Sequence, residues 1–484
     1  MDTIKLKKGI IYLMLPFRLE SKISAGTSSE NSIWIKTDED LNSLDFLLEH
    51  VREFFSRNHT TDKEDESTCI LMKLKTDSLP VKMFNNKVYW LLNKPFNDAK
   101  GSDNTLKLPV YFDPGSFRII YHPFTGVAIL VYSIEQFKHA KDTSGGTLAD
   151  FIRMNYLLRT FNRHDEAFFI SQNDRTEERS KALHLLADSS YSLFTRTETG
   201  NVETDGWRPW QLINYLLNDL NKNNNITFFD SYHFFPVSYL QGDDEIRNDE
   251  IVNRAMFFLS KVYDFDFVPS TSILKVGEEI LHPFKQIYYA TSLEGASVFN
   301  NCSISDPVFI ITFYSNSFKR SLWLAILGLL QRSVFLQLLK EVSDVNTDDH
   351  KKVKEYLKKY TTVSLKAIFS KVSIYHQHND FYDLIIRQLQ INELQTEIKD
   401  ELYGLNNLLR QFHEDEVERF DGMEKQFEKK FNLILFALSV FSLIQVTYQI
   451  LGSTSMSVFK HLLAIGIPLI LGVISWQVMT SHRK

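Results

Sequence analysis

Five carboxylates stand within the stretch "HEDEVERFD" (413–421): Glu414, Asp415, Glu416, Glu418 and Asp421. Oxygen ligands of this kind suit a divalent cation, and Glu414, Glu418 and Asp421 form the candidate cation-binding set. An oligomer would have to bring several such segments together, and a solvated acidic helix face accounts for the same residues. A second chemical candidate is "TDGWRPWQ" (204–211), where Trp207, Arg208 and Trp210 offer ring stacking and a phosphate contact; a packed loop explains them as well. "DTSGGTLADF" (142–151) is glycine-rich and opens a predicted helix, so its amides could cradle phosphate. It lacks the P-loop lysine and spacing, and Thr147 with Asp150 reads as a helix cap. His376 and His378 in "YHQHND" and His164 in "NRHDE" have no neighbouring set that would complete a zinc site. There is no nucleophile elbow and no zinc-protease motif, so neither a catalytic residue nor a metal site is assigned and no enzyme activity is expected.

The acidic stretch leads into a segment that sets the context for everything before it. Phe431 to Leu451, 21 residues, carries no ionisable side chain except Tyr448. As a helix it would be about 31 Å long, one hydrocarbon thickness. A polar turn at 452–461 follows, then a second apolar stretch, Leu462 to Met479, with Trp476 at interfacial depth. The pair reads as a transmembrane hairpin, and Gly466 and Pro468 are tolerated in such a helix. Lys425, Lys429 and Lys430 precede it and Arg483 and Lys484 follow it, while the turn has only Lys460 and His461 at its edge. This charge bias places the N-terminal domain and the C-terminus in the cytoplasm of a multi-pass protein of the inner (plasma) membrane.

Within the first span the polar residues share one side. At about 100° per residue, Asn432, Ser439, Ser442, Gln445 and Gln449 fall within an arc of about 140°. They are the candidate pore-lining residues; hydrogen bonds to neighbouring helices would use the same stripe. No acidic ring lies in the span, so a pore built from it would be weakly selective.

The elements that must position these groups are legible in outline. The apolar run Gly9 to Phe17 resembles a signal peptide, but Pro16, the flanking Arg18 and Glu20 and the absence of a cleavage site favour a buried strand. Only two cysteines, Cys69 and Cys302, occur, which suits a reducing compartment. A composition of 44% apolar and 24% charged residues with net charge −6 describes an ordinary globular chain and gives no electrostatic footprint for direct nucleic-acid binding. Strand patterns recur at "SIWIK", "CILMKLK", "KVYWLLN", "LPVYFD", "FRIIYH", "GVAILVYSI", "EAFFIS", "NITFFDSYHFFPVSYL", "QIYYATSL" and "PVFIITFYS". Helical spacing marks 41–55, 147–163 and 208–220, and charged segments at 58–68, 172–181 and 343–352 read as loops. "SLWLAILGLLQRSVFLQLLKEVS" (321–343) is apolar enough for a membrane, yet Gln331, Arg332 and Gln337 interrupt it and predict a buried bundle helix.

From Asp380 to Lys430 there is no proline, and Leu394, Ile398, Leu402, Leu405, Leu409, Phe412, Phe420, Met423, Phe427 and Phe431 recur mostly every three or four residues. The pattern predicts one unbroken helix entering the first span, with an apolar seam that needs a partner copy to cover it. The expected fold is therefore an α+β cytoplasmic sensor domain (1–316), a helical region with a long juxtamembrane stalk (317–430), a transmembrane helix (431–451), an external turn (452–461) and a second transmembrane helix (462–479).

The region 316–484 resembles the CorA-like membrane channels, in which a long helix continues as the first of two C-terminal spans. That resemblance implies a homo-oligomer, a pentamer in that family, around a central pore. The family's magnesium transporters carry Gly-Met-Asn at the end of the first span; here Tyr448 to Leu451 is followed by Gly452, Ser453 and Thr454, so magnesium selectivity does not carry over. The large N-terminal domain and the missing tripeptide look more like a divergent branch of membrane effectors that accompany type III CRISPR systems. The resemblance to that branch implies opening by a nucleotide-type effector in antiviral defence, with a divalent cation as a further ligand. The alternative is a membrane-anchored enzyme or scaffold whose hairpin only localises it.

Overall fold

The computed structural model describes residues 4–20, 32–38, 44–55, 68–75, 88–92, 106–136, 147–159, 167–171, 209–221, 226–229, 233–242, 246, 248–264, 278–284, 286–301, 317–344 and 350–452, with 466, 470 and 473. The chain divides into two compact units, Met1–Leu402 and Tyr403–Lys484. The elements begin with β1 (Leu6–Leu19), β2 (Trp34–Lys36), α1 (Glu49–Phe55), β3 (Ile70–Leu74), β4 (Val88–Leu92), β5 (Leu106–Phe112), β6 (Arg118–His122) and β7 (Val127–Gln136). Next come α2 (Leu148–Leu158), β8 (Ala167–Ser171), α3 (Pro209–Asn221), β9 (Ile226–Phe228), β10 (Phe235–Gly242) and α4 (Asp249–Lys261). The remainder are β11 (Ile280–Phe284), β12 (Ile287–Thr291), β13 (Ala296–Asn300), α5 (Lys319–Ser343), α6 (His350–Ala367), α7 (His376–Gln388) and α8 (Ile391–Gly452).

Among the described residues the strands form one mixed sheet with the order β11-β12-β13-β10-β1-β7-β5-β4-β8. β1 is its axis. One edge of β1 pairs with β7 from Gly9 to Arg18; the other pairs with β10 and then, from Phe17, with β9. β7 in turn divides its far edge between β6 and β5. Only β10 and β13 run parallel among the described pairings.

The unbroken apolar run Gly9 to Phe17 lies within β1 and is buried throughout. It fails to alternate because both faces of the sheet are covered. Ile11, Leu13, Leu15 and Phe17 join the core made with Phe151 and Ile152 of α2 and Met256 and Leu259 of α4. From the opposite face the ring of Tyr12 lies 5.7 Å from that of Phe318, at the entrance to α5. At Gly9 the sheet and α2 come so close that an added Cβ would sit 2.6 Å from the Phe151 ring. The cap expected at Thr147 is a full capping box: Thr147 Oγ1 accepts from the Asp150 N–H and Asp150 Oδ2 accepts from the Thr147 N–H.

Among the described residues two helices are long and apolar enough to cross a membrane, Lys319–Ser343 and Ile391–Val446. Their surroundings separate them: 83% of the apolar window of α5 is buried within the protein, and none of that of α8. The residues that interrupt α5 explain the difference. Gln331 is buried and bridges two neighbours, donating to the Ala367 carbonyl at 2.6 Å and accepting from the Tyr382 hydroxyl at 2.8 Å. Such bonds have no counterpart in lipid, so this helix belongs against the sheet and α7. The contact with α7 is close, since a Cβ at Gly328 would collide with Ile385.

Several boundaries differ from the sequence pattern. The helix expected over 41–55 is shortened to α1, and "NITFFDSYHFFPVSYL" divides into β9 and β10. Helix α6, over "HKKVKEYLKKYTTVSLKA", was not anticipated. The stretch "PVFIITFYS" lies outside the described residues, as does most of 452–461 and 462–479; of the latter Gly466, Ile470 and Val473 are described, and are helical. The most consequential correction concerns the stalk. The single helix expected from Asp380 is interrupted at Leu389 and Gln390, with Gln390 in the left-handed region at φ 55°. Neither glycine nor proline marks the break. It is made by tertiary contacts: Leu389 and Ile391 are buried, and the Arg332 guanidinium donates to the Leu389 carbonyl.

Candidate functional site

A partly open cleft of about 290 Å³ lies among the described residues of the first unit, close to the lower end of the roughly 300–1,000 Å³ typical of small-ligand sites. Its walls come from five places in the chain. Pro16 lies near the end of β1, Arg159 caps α2, Phe229 and His233 flank the chain between β9 and β10, and Leu293 and Glu294 form the turn between β12 and β13. Helix α5 closes it with Arg332 and Ser333.

Each charged group is held by local structure. The Arg159 carbonyl accepts from the Phe234 N–H at 2.7 Å, which ties the end of α2 to the start of β10. Its guanidinium forms an ion pair with Glu294 at 3.1 Å, while its Nε is buried without a hydrogen-bond partner among the described residues. The turn that carries Glu294 is fixed in its own right: the Glu294 N–H donates to Ser292 Oγ at 2.9 Å and Ser292 Oγ donates to the Ser260 carbonyl at 2.7 Å. Arg159, His233 and Arg332 thus stand against a single carboxylate, Glu294, in a cleft with an apolar side at Phe229 and Leu293. This combination suits an anion that also carries a flat or apolar part.

The candidates read from the sequence are distributed differently. Asn432, Ser439, Ser442, Gln445 and Gln449 all lie on α8, and Ser439, Ser442 and Gln445 are exposed within the single chain. The Ser439 hydroxyl donates to the Leu435 carbonyl one turn back at 2.8 Å. Glu414, Glu418 and Asp421 are exposed on the same helix, and Glu414 pairs with Arg410 at 3.0 Å. Among the described residues no group of three or more histidine, cysteine or acidic side chains converges to hold a metal ion. Trp207 and Arg208 lie outside the described residues, and Trp210 falls in the first turn of α3.

His378 proves to be a core residue. Its Nδ1 lies 3.1 Å from Ser373 Oγ, and that hydroxyl donates to the Phe46 carbonyl at 2.7 Å. The Phe46 and Tyr375 rings pack edge-on against the imidazole. Burial, and then the nearby Arg320 charge, pull the pKa of His378 down from 6.5 to about 4, so it is neutral at physiological pH. A serine and a histidine within reach of each other here serve packing, since both are buried.

Sequence reasoning missed the cleft because its walls are scattered from Pro16 to Arg332. One signal was available: Arg332 interrupts an otherwise apolar helix, and a buried or half-buried arginine needs a reason. No family model, no curated protein and no solved structure matches the chain. The CorA-like resemblance therefore rests only on the order of elements and the residues that carry it.

Proposed function

We propose that the chain is the subunit of an effector-gated membrane channel: a cytosolic α+β domain, a helical stalk and a two-helix hairpin in the inner membrane, assembled as a ring of identical copies. One observation carries the reading. Helix α8 runs unbroken for 62 residues from the charged stalk into an apolar segment; Ile398 and Leu405 near its start are buried within the chain, but from Phe420 onward many of its large apolar side chains are exposed. Phe420, Met423 and Phe427 are 67%, 56% and 70% exposed in the stalk, at spacings of three and four, and Phe431, Leu438 and Phe441 continue uncovered into the span. A stripe of this kind is costly in water and is removed by neighbouring copies in the stalk and by lipid in the span.

The resemblance to CorA-like channels supplies the rest of the reading: a pentameric ring, the polar stripe from Asn432 to Gln449 facing its axis, and a nucleotide-type effector, with a role in antiviral defence. Carboxylates from Glu414, Glu418 and Asp421 of several copies would then meet and could take a divalent cation. Gating is energetically modest. Moving a closed:open ratio from 99:1 to 1:99 takes about 5.5 kcal/mol of differential binding, about 1.1 kcal/mol for each of five domains.

A second reading, a membrane-anchored scaffold, is favoured by the bond between Ser439 and Leu435, because a hydroxyl satisfied within its own helix needs neither water nor a neighbour. Electrical recording from the full-length protein in planar bilayers separates the two. Discrete conductance steps support the channel; silence under conditions that saturate the cytosolic domain supports the scaffold.

A further inference from the structure

The cleft and the start of the stalk helix share one residue. Arg332 lines the cleft from α5, and its guanidinium also donates to the carbonyl of Leu389, where α7 ends. The next residue, Gln390, holds the left-handed conformation from which α8 departs, and its carbonyl accepts the Leu394 N–H at 3.1 Å. An anion in the cleft would therefore draw on the same guanidinium that holds the Leu389 carbonyl.

We propose that this cleft binds a small phosphate ester of nucleotide size, and that Arg332 moves from the Leu389 carbonyl to the ligand phosphate, loosening the junction between α7 and α8. The chemistry follows from the walls. Arg159 and Arg332 offer planar forks that match phosphate oxygens, and the buried Arg159 Nε is a further donor with no partner among the described residues. Glu294, already paired with Arg159, orients that guanidinium. The half-buried Phe229 ring and Leu293 form an apolar side for a base or similar flat group, and the volume admits one such unit. Binding at the cleft is independent of the channel; only the route from the junction to the membrane rests on the function proposed above.

The test uses the full chain in mild detergent and the fluorescent nucleotide mant-ATP as probe. Saturable binding that inorganic pyrophosphate displaces is expected, with Arg332→Gln and Arg159→Gln each weakening it about tenfold or more. Arg332→Lys, which keeps the charge, and Phe229→Ala, which removes only the ring, guard against misfolding: the first should weaken binding less than Arg332→Gln, the second should weaken mant-ATP more than pyrophosphate. Hydrogen exchange then reads the junction. Amides from Gln390 to Leu394 should exchange several-fold faster with mant-ATP in the wild type and show no ligand response in Arg332→Gln. No binding, binding untouched by both arginine variants, displacement by phosphatidylglycerol vesicles as readily as by pyrophosphate, or unchanged exchange at these amides would each overturn the proposal. Binding without any ion conduction would instead leave the cleft standing and remove the channel.

Discussion

The guanidinium of Arg332, midway along α5, donates a hydrogen bond to the main-chain carbonyl of Leu389 at the end of α7. This bond takes over a carbonyl that a continuing helix would have used, which is why the chain can turn there without glycine or proline. The turn is completed by Gln390 at φ 55°, a conformation that costs a side-chain-bearing residue about 1 kcal/mol.

Gln390→Gly gives that relationship a signed test. At a left-handed position glycine removes the steric cost, so the variant should be more stable by roughly 0.5–1 kcal/mol in denaturant titration. Were residues 380–430 one continuous helix, the same substitution would destabilise by about 1 kcal/mol.

The contact between α5 and α7 should be intolerant of added volume. Gly328→Val pushes into Ile385 and is expected to cost about 1–3 kcal/mol, visible as a lowered thermal midpoint. Combining it with Ile385→Ala should recover part of the loss, because the two positions touch, and strict additivity would mean that they do not.

Acid should weaken the domain through His378. Its folded pKa of about 4 lies below the ordinary value of 6.5, so the unfolded chain takes up the proton first as pH falls. Stability attributable to this residue is complete above about pH 6.5, declines between 6.5 and 4, and is level below that, a loss on the order of 3 kcal/mol. The charged group facing it is Arg320, which stacks on Phe46 and Tyr375, and Ser373 occupies its Nδ1. His378→Gln should be less stable at pH 7.5 and lose the acid-dependent slope; a slope unchanged in the variant would assign it to another group.

The stalk seam should hold copies together. Phe420→Asp with Phe427→Asp changes residues that are exposed in the single chain, so the α+β domain should fold normally while the assembled mass in detergent, read by light scattering, falls. Leu405 is a poorer probe, being only 6% exposed. An unchanged assembly, or a wild type that is itself monomeric, would remove the seam from the account.

Much of the α+β character was legible because strand-length apolar runs such as Gly9 to Phe17 and helix signals such as Thr147 with Asp150 act locally. The polar interruptions of "SLWLAILGLLQRSVFLQLLKEVS" likewise foretold a buried helix, since Gln331 can be satisfied only by protein partners. What stayed hidden depends on long-range contacts. The Leu389–Gln390 break is produced by Arg332, 57 positions away from Leu389 in the chain, and carries no turn residues of its own. The cleft draws Pro16, Arg159, His233, Glu294 and Arg332 from separate elements, so no window of sequence contains it. Compact motifs are a poor guide to it: "TDGWRPWQ" lies largely outside the described residues, and Glu414 to Asp421 form an exposed helix face within one chain.

The most direct measurement is potassium flux from proteoliposomes containing the full-length protein, with ATP or inorganic pyrophosphate supplied to the side that carries the α+β domain. Flux should appear with ligand, and Ser439→Leu with Ser442→Leu should abolish it while leaving mant-ATP binding intact, because an apolar constriction on the polar stripe dewets the path. Absence of ligand-dependent flux in the wild type, or wild-type flux in the double leucine variant, would contradict the channel and leave α8 as an anchor.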